Sequence, residues 1–160
     1  MKKNLTKRNY FVVIDNSQEM WKAVHFCMIR AKAIKAKITT ISFAESISDQ
    51  IMLVNSAENI IHEEQLKIEK LNHNKVHSYL KEKSKINADS KVFMSDDLDG
   101  FIKYLNDYSS NSTIVLASST VIGKPGPLID KLIYEKSNFL KCPLVIISGN
   151  LSDKELESIV

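Results

Sequence analysis

Five short apolar runs punctuate the chain: YFVVI (residues 10–14), ITTISF (38–43), KVFM (91–94), TIVLA (113–117) and LVII (144–147). Each is rich in β-branched or aromatic residues and is bounded by polar turn formers, the pattern of a buried strand. Helical periodicity fills the gaps. Met20, Val24, Cys27, Met28, Ala31 and Ile34 form a 3.6-residue stripe with Trp21 on its shoulder. Asn16 followed by Glu19 resembles a capping box and predicts that this helix starts there. A long amphipathic stretch covers residues 48–85, with Val54, Ala57, Ile61, Ile68, Leu71, Val76 and Tyr79 on one face. A break is expected near Asn72-His73-Asn74, because asparagine is a poor helix former. Ser95-Asp96-Asp97 caps a helix over 98–108, and another is expected over 127–140. Ser152 and Glu155 make an S-x-x-E capping box for a terminal helix over 153–159.

Strict alternation of strand and helix predicts the α/β class, a doubly wound five-stranded parallel sheet with an extra C-terminal helix. Such sheets bind ligands beyond the carboxyl ends of their strands, where the strand order reverses. Residues 15–17, 43–45, 95–97 and 118–126 are therefore the positions of interest. No linker or repeat divides the sequence, so residues 1–160 are expected to form one domain, with 1–8 as a flexible terminus.

Composition narrows the choice of setting. The chain is 44% hydrophobic and 26% charged, as in soluble globular proteins. No apolar run approaches a membrane span or a secretory signal, so a cytoplasmic protein is expected. Cys27 and Cys142 form no CxxC pair and are expected to be reduced thiols. The net charge of +3 owes much to Lys2, Lys3, Lys7 and Arg8. That terminal cluster does not make a nucleic-acid footprint.

NYFVVIDNS, KITTISFAE, STIVLASS and KCPLVIIS, in that order and at these intervals, resemble the universal stress proteins. The first supplies that family's opening strand and its Asp, and the last its final strand with a preceding Pro. The resemblance spans nearly the whole chain, with residues 47–90 matching only in type. The GKPGPL loop and GNLSDKEL tail are similar to a bacterial branch of the family. The resemblance implies the universal stress protein sandwich of the adenine-nucleotide α-hydrolase-like class, a role in stress responses, and a homodimer joined through the last strand. One branch of the family binds ATP through G-x-x-G, nine residues, then G-[ST]. Anchored on the fourth strand and Pro143, that pattern falls on Ala117, Thr120, Asp130 and Lys131, none of which matches. Anchored on Gly123 and Gly126, it reaches Lys136 and Ser137, where only Ser137 fits. The ATP motif is thus degenerate. Asp15 matches the position that contacts adenosine, and Ser118 matches the Ser after the motif's first Gly.

The loop SSTVIGKPGPLIDKL (118–132) invites a phosphate-binding reading. A helix N-terminus offers amide donors, Ser118, Ser119 and Thr120 offer hydroxyls, and Lys124 and Lys131 offer charge. Against it, Pro127 at the first helical position removes a donor, and Asp130 in the first turn repels an anion. Pro125-Gly126 is turn chemistry. The candidate ligand residues are Asp15, Phe43 through its backbone, Ser118, Ser119, Thr120, Gly123, Lys124 and Gly126, for ATP or AMP held by altered phosphate contacts. The stronger part of that set is Ser118–Thr120 facing Asp15 across the switch point.

Other constellations favour plain structural roles. His62, His73 and His77 share a helix flank, but without HExxH or a nearby Cys they read as solvated and not as metal ligands. Ser95-x-Asp97-x-Asp99-Gly100 lacks the calcium-loop Asp and Glu and reads as a cap. Cys27 belongs to the core stripe. No GxSxG, GxxxxGK[ST] or GxGxxG is present, and no His follows a strand, so no enzyme is expected. Two readings follow: a regulatory domain that binds an adenine nucleotide, or a homodimeric interaction module without a small ligand. In both, the strand of residues 144–147, from Leu144 to Ile147, is the dimer edge, and the terminal helix with Leu156 and Ile159 is a candidate to cover it.

Overall fold

A computed structural model describes residues 7–46, 55–108 and 111–159, with the backbone alone for 55–59. The five apolar runs form strands β1 (Asn9–Val13), β2 (Lys37–Ala44), β3 (Asp89–Met94), β4 (Ser112–Ser118) and β5 (Leu144–Ser148). Helices α1 (Met20–Ile34), α2 (Asn55–Ser84), α3 (Leu98–Asn106), α4 (Pro127–Tyr134) and α5 (Asp153–Ser158) follow them in turn. All pairings are parallel, in the order β3-β2-β1-β4-β5. The order reverses at β1, which pairs with β2 on one side and β4 on the other.

Strand periodicity divides the core in two. Tyr10, Val12 and Ile14 point to one face and pack with Val24, Cys27, Val76 and Leu156 from α1, α2 and α5. Phe11 and Val13 point to the other and meet Phe101, Leu105, Ile129 and Leu132 from α3 and α4. Phe11, Val12, Val24, Phe101, Leu132 and Leu156 have no exposed surface. Such complete burial is worth roughly 1.5–3 kcal/mol per large side chain.

Several expectations change. The Asn16–Glu19 capping box does not form. Asn16 takes the left-handed conformation, φ 62°, which carries the chain out of line with the helix. Asp15 Oδ1 accepts from the Ser17 amide and hydroxyl, and Ser17 Oγ accepts from the Met20 amide. Ser17 therefore does the capping, and the Glu19 side chain is released for other contacts. The helix α2 is unbroken through Asn72-His73-Asn74, because tertiary partners there outweigh local propensity. Its predicted apolar face is only partly correct: Val76 is buried, whereas Ile68 and Leu71 are exposed, and Leu80, outside that predicted set, is buried. The helix expected over 127–140 ends at Tyr134 and is followed by a 3-10 turn, Ser137–Phe139. The expected start of α2 near Ser48, and most of the expected flexible terminus, lie outside the described residues.

The ends that do match expectation have visible causes. Asp97 caps α3 by accepting from the Gly100 amide at 3.0 Å. Ser152 and Glu155 close their capping box in both directions. Gly126, φ 130°, precedes Pro127 at the start of α4. The helix α5 lies on α1, with Leu156 in the core and Lys22 2.9 Å from Asp153. Ile159 stays exposed, whereas Leu156 shares the first core with Val145 and Ile147 of β5. No helix among the described residues is long and apolar enough to cross a membrane.

Candidate functional site

The carboxyl ends of β1, β2 and β4 open into a cleft of about 750 Å³. Its floor and near walls come from Val13, Asp15, Phe43, Leu116 and Ala117, and α4 closes one side with Pro127 and Ile129. The opposite wall is α2, which overhangs through Gln65, Ile68, Glu69 and Asn72. This placement accounts for the exposure of Ile68, which lines the cleft and not the core. A concave, largely apolar hollow with a few polar groups at a switch point is the usual form of a small-ligand site.

Of the residues singled out from sequence, Asp15, Phe43, Ser119 and Gly126 line this cleft. Ser118, Thr120, Gly123 and Lys124 are not among its lining residues. Ser118 remains in the β4 ladder opposite Ser148. Thr120 faces a smaller neighbouring hollow with Trp21, Tyr79 and Gly149.

The loop after β4 is occupied with its own hydrogen bonds. The Ser119 amide donates to Pro125 O at 2.9 Å, Val121 donates to Ser119 Oγ at 3.1 Å, and Lys124 donates to Val121 O at 3.1 Å. The Thr120 amide and hydroxyl both point at Glu19 Oε1, 3.4 and 3.2 Å away. Glu19 reaches across from the start of α1 over Gly149. A Cβ on Gly149 would lie 2.5 Å from Ser118 O and 2.6 Å from Glu19 Cγ, so only glycine leaves room for that crossing. Backbone donation from its own amide, then the amide and hydroxyl of Thr120, hold the Glu19 carboxyl below the usual carboxylate range.

Sequence reasoning missed three residues here. Glu19 reads in the sequence as part of a capping box, Gly149 only as the first residue of the GNLSDKEL tail, and Gln65 carries no signal at all. Gln65 Oε1 is buried in the cleft wall without a hydrogen-bond partner. The only hint for the first two was their position, one at a helix start and the other at a strand exit.

The histidine flank is also corrected. His73 is 3% exposed and sits over the middle of β2. Thr40 Oγ1 lies beside His73 Nδ1 and 2.9 Å from His77 Nε2, and Ser42 Oγ lies 2.9 Å from His73 Nε2. Thr40 donates to Asp89 O at 3.2 Å. The network closes with both rings neutral: each donates one N–H to Thr40, and Ser42 donates to His73 Nε2. Burial, and then the charge of His77, push the His73 pKa down to about 4. Burial also lowers that of His77, against the opposing pull of Asp89. No cluster of metal-ligating side chains occurs among the described residues.

Solved structures share this architecture. Universal stress protein UspA from Lactobacillus plantarum superposes with a TM-score of 0.68 at 13% identity, over 88% of this chain and 97% of that one. The chain has the universal stress protein fold. A universal stress protein from Archaeoglobus fulgidus in complex with dAMP matches with a TM-score of 0.53 at 10% identity, over 89% of this chain and 98% of that one. A universal stress protein in complex with cAMP matches with a TM-score of 0.54 at 13% identity, over 89% and 98%. No protein-family model matches the chain, and no curated protein matches it by sequence. The universal stress protein fold is therefore evident here in shape while the sequence has diverged far from its structural neighbours.

Proposed function

We propose that residues 1–160 form one universal stress protein-like regulatory domain, cytoplasmic and non-catalytic, that binds an adenine nucleoside or nucleotide in the switch-point cleft. The observation that carries this reading is the cleft itself, with Asp15 at the end of β1 and a volume of about 750 Å³. The dAMP and cAMP complexes of proteins with the same fold support the ligand class. The unpartnered Gln65 Oε1 supports it as well, since an adenine amine is a donor that a buried acceptor lacks. The two free, buried cysteines support a reducing compartment.

Calorimetry with adenosine, AMP and ATP tests the reading. Binding of at least one, weakened about tenfold by Asp15→Ala through loss of a charged hydrogen-bond acceptor, is the expected result. No heat and no thermal shift with all three at millimolar concentration overturns it. The partner we propose is a second copy of the chain, joined through the β5 edge. That edge is open on its outer side, and Ile146 is 39% exposed. An apolar edge of this kind favours pairing.

A further inference from the structure

We propose that the cleft recognises the unphosphorylated nucleoside and rejects its phosphates, with Glu19 as the specificity-determining residue. This rests on the ligand reading above and names the form of ligand that the site takes.

Phosphate binding at a strand-to-helix loop needs backbone amides that are free and a surrounding charge that is not negative. The first condition is met only in part, and the second is not met. The amides of Ser119, Thr120, Val121 and Lys124 are already committed to acceptors within the protein. One of those acceptors is a carboxylate. Glu19 Oε1 lies within reach of both donors of Thr120, at the border between the cleft and the smaller hollow, so this pair of donors is closed to a ligand anion. The chain thus fills an anion position with an anion of its own. Gly149 keeps the crossing open for the Glu19 side chain.

The charge around the cleft points the same way. Asp15, Glu19, Glu45 and Glu69 line it, and Lys131 is the one cation among the described lining residues. A triphosphate entering would meet repulsion from several carboxylates. A nucleoside brings no charge, and it offers hydroxyls and an amine to Asp15 and to the unpartnered Gln65 Oε1. The first turn of α4 adds to the discrimination. Pro127 lacks a donor, and Asp130 places a further carboxylate at the positive end of the helix.

The test is calorimetry on the intact protein with adenosine, AMP and ATP, without divalent cations, at low and at 0.5 M salt. Affinity is expected to fall from adenosine to AMP to ATP at low salt. The adenosine-to-ATP ratio should shrink as salt rises, because like-charge repulsion between exposed groups is screened. Glu19→Gln keeps the shape and removes the charge. It should cut that ratio about tenfold at low salt, while adenosine affinity stays the same. ATP binding as tightly as adenosine, or a ratio that neither salt nor Glu19→Gln changes, overturns the inference and leaves the cleft reading standing. No binding by any of the three overturns both. The salt series needs no variant, so the inference stays testable even if Glu19→Gln does not fold.

Discussion

At the scale of single residues, the most consequential placement is that of His73. Its folded pKa, about 4, lies below the ordinary 6.5. Between those values the unfolded chain binds more protons than the folded one. Stability from this group is therefore present in full above pH 6.5 and is lost as the pH falls toward 4, by up to about 3 kcal/mol. His77 acts in the same direction. Urea unfolding across that range should show the loss, and His73→Gln should flatten it. His73→Ala at neutral pH leaves Ser42 without its ring partner and Thr40 with His77 alone, and it should cost about 2–4 kcal/mol. The cysteines give a second contrast. Burial pushes the Cys27 thiol far above its usual range and raises that of Cys142 as well. A thiol reagent should label Cys142 first, with Cys27 reacting only on unfolding. Equal rates at both sites in the native protein would contradict this ordering.

Among the elements, the short ones depend most on their ends. The helix α5 has only six residues, and a helix of that length gains little from its own hydrogen bonds. It persists through the Ser152 cap and the burial of Leu156. Ser152→Ala should cost about 1 kcal/mol and Leu156→Ala about 2–5 kcal/mol, both read from chemical denaturation. At the start of α4, Gly126 holds φ 130°, a conformation closed to other residues, so Gly126→Ala should cost about 1–3 kcal/mol. Elements of this kind were legible in the sequence because the signal is local: S-x-x-E, Gly-Pro and the unbroken apolar run YFVVI each lie within a few consecutive residues. The continuity of α2 was not legible. Asn72 and Asn74 argue for a break, and the hydroxyls that hold His73 in place lie more than thirty residues upstream, in β2. The candidate site was half legible for the same reason. Asp15, Phe43 and Ser119 end up together because strand ends converge, which the order of elements predicts. Glu19 meets Thr120 only because Asn16 turns left-handed and Gly149 stays out of the way, and no local pattern encodes that.

At the scale of the molecule, the sheet has two unequal edges. The strand β3 exposes the polar Asp89, Ser90 and Lys91, whereas β5 presents the apolar Ile146. Ile146→Asp should therefore give a lower mass in light scattering, with the circular dichroism spectrum retained. A mass that does not change would locate the interface elsewhere. Val145 is a poorer probe, because it packs against the first core and its replacement would disturb the fold.

The parallel order also has a temporal side. β1 lies at the centre of the sheet, yet it is made first, and its register with β4 joins Asn9 to Ser112. During synthesis the opening strand leaves the ribosome with one flank paired to β2 at best. The other flank waits until β2, β3 and the helices between have been made. No hairpin offers an early refuge, since every neighbour arrives after a crossover. The nascent protein thus carries an open central strand across three crossovers, and completion of β4 is the moment at which that strand first becomes enclosed.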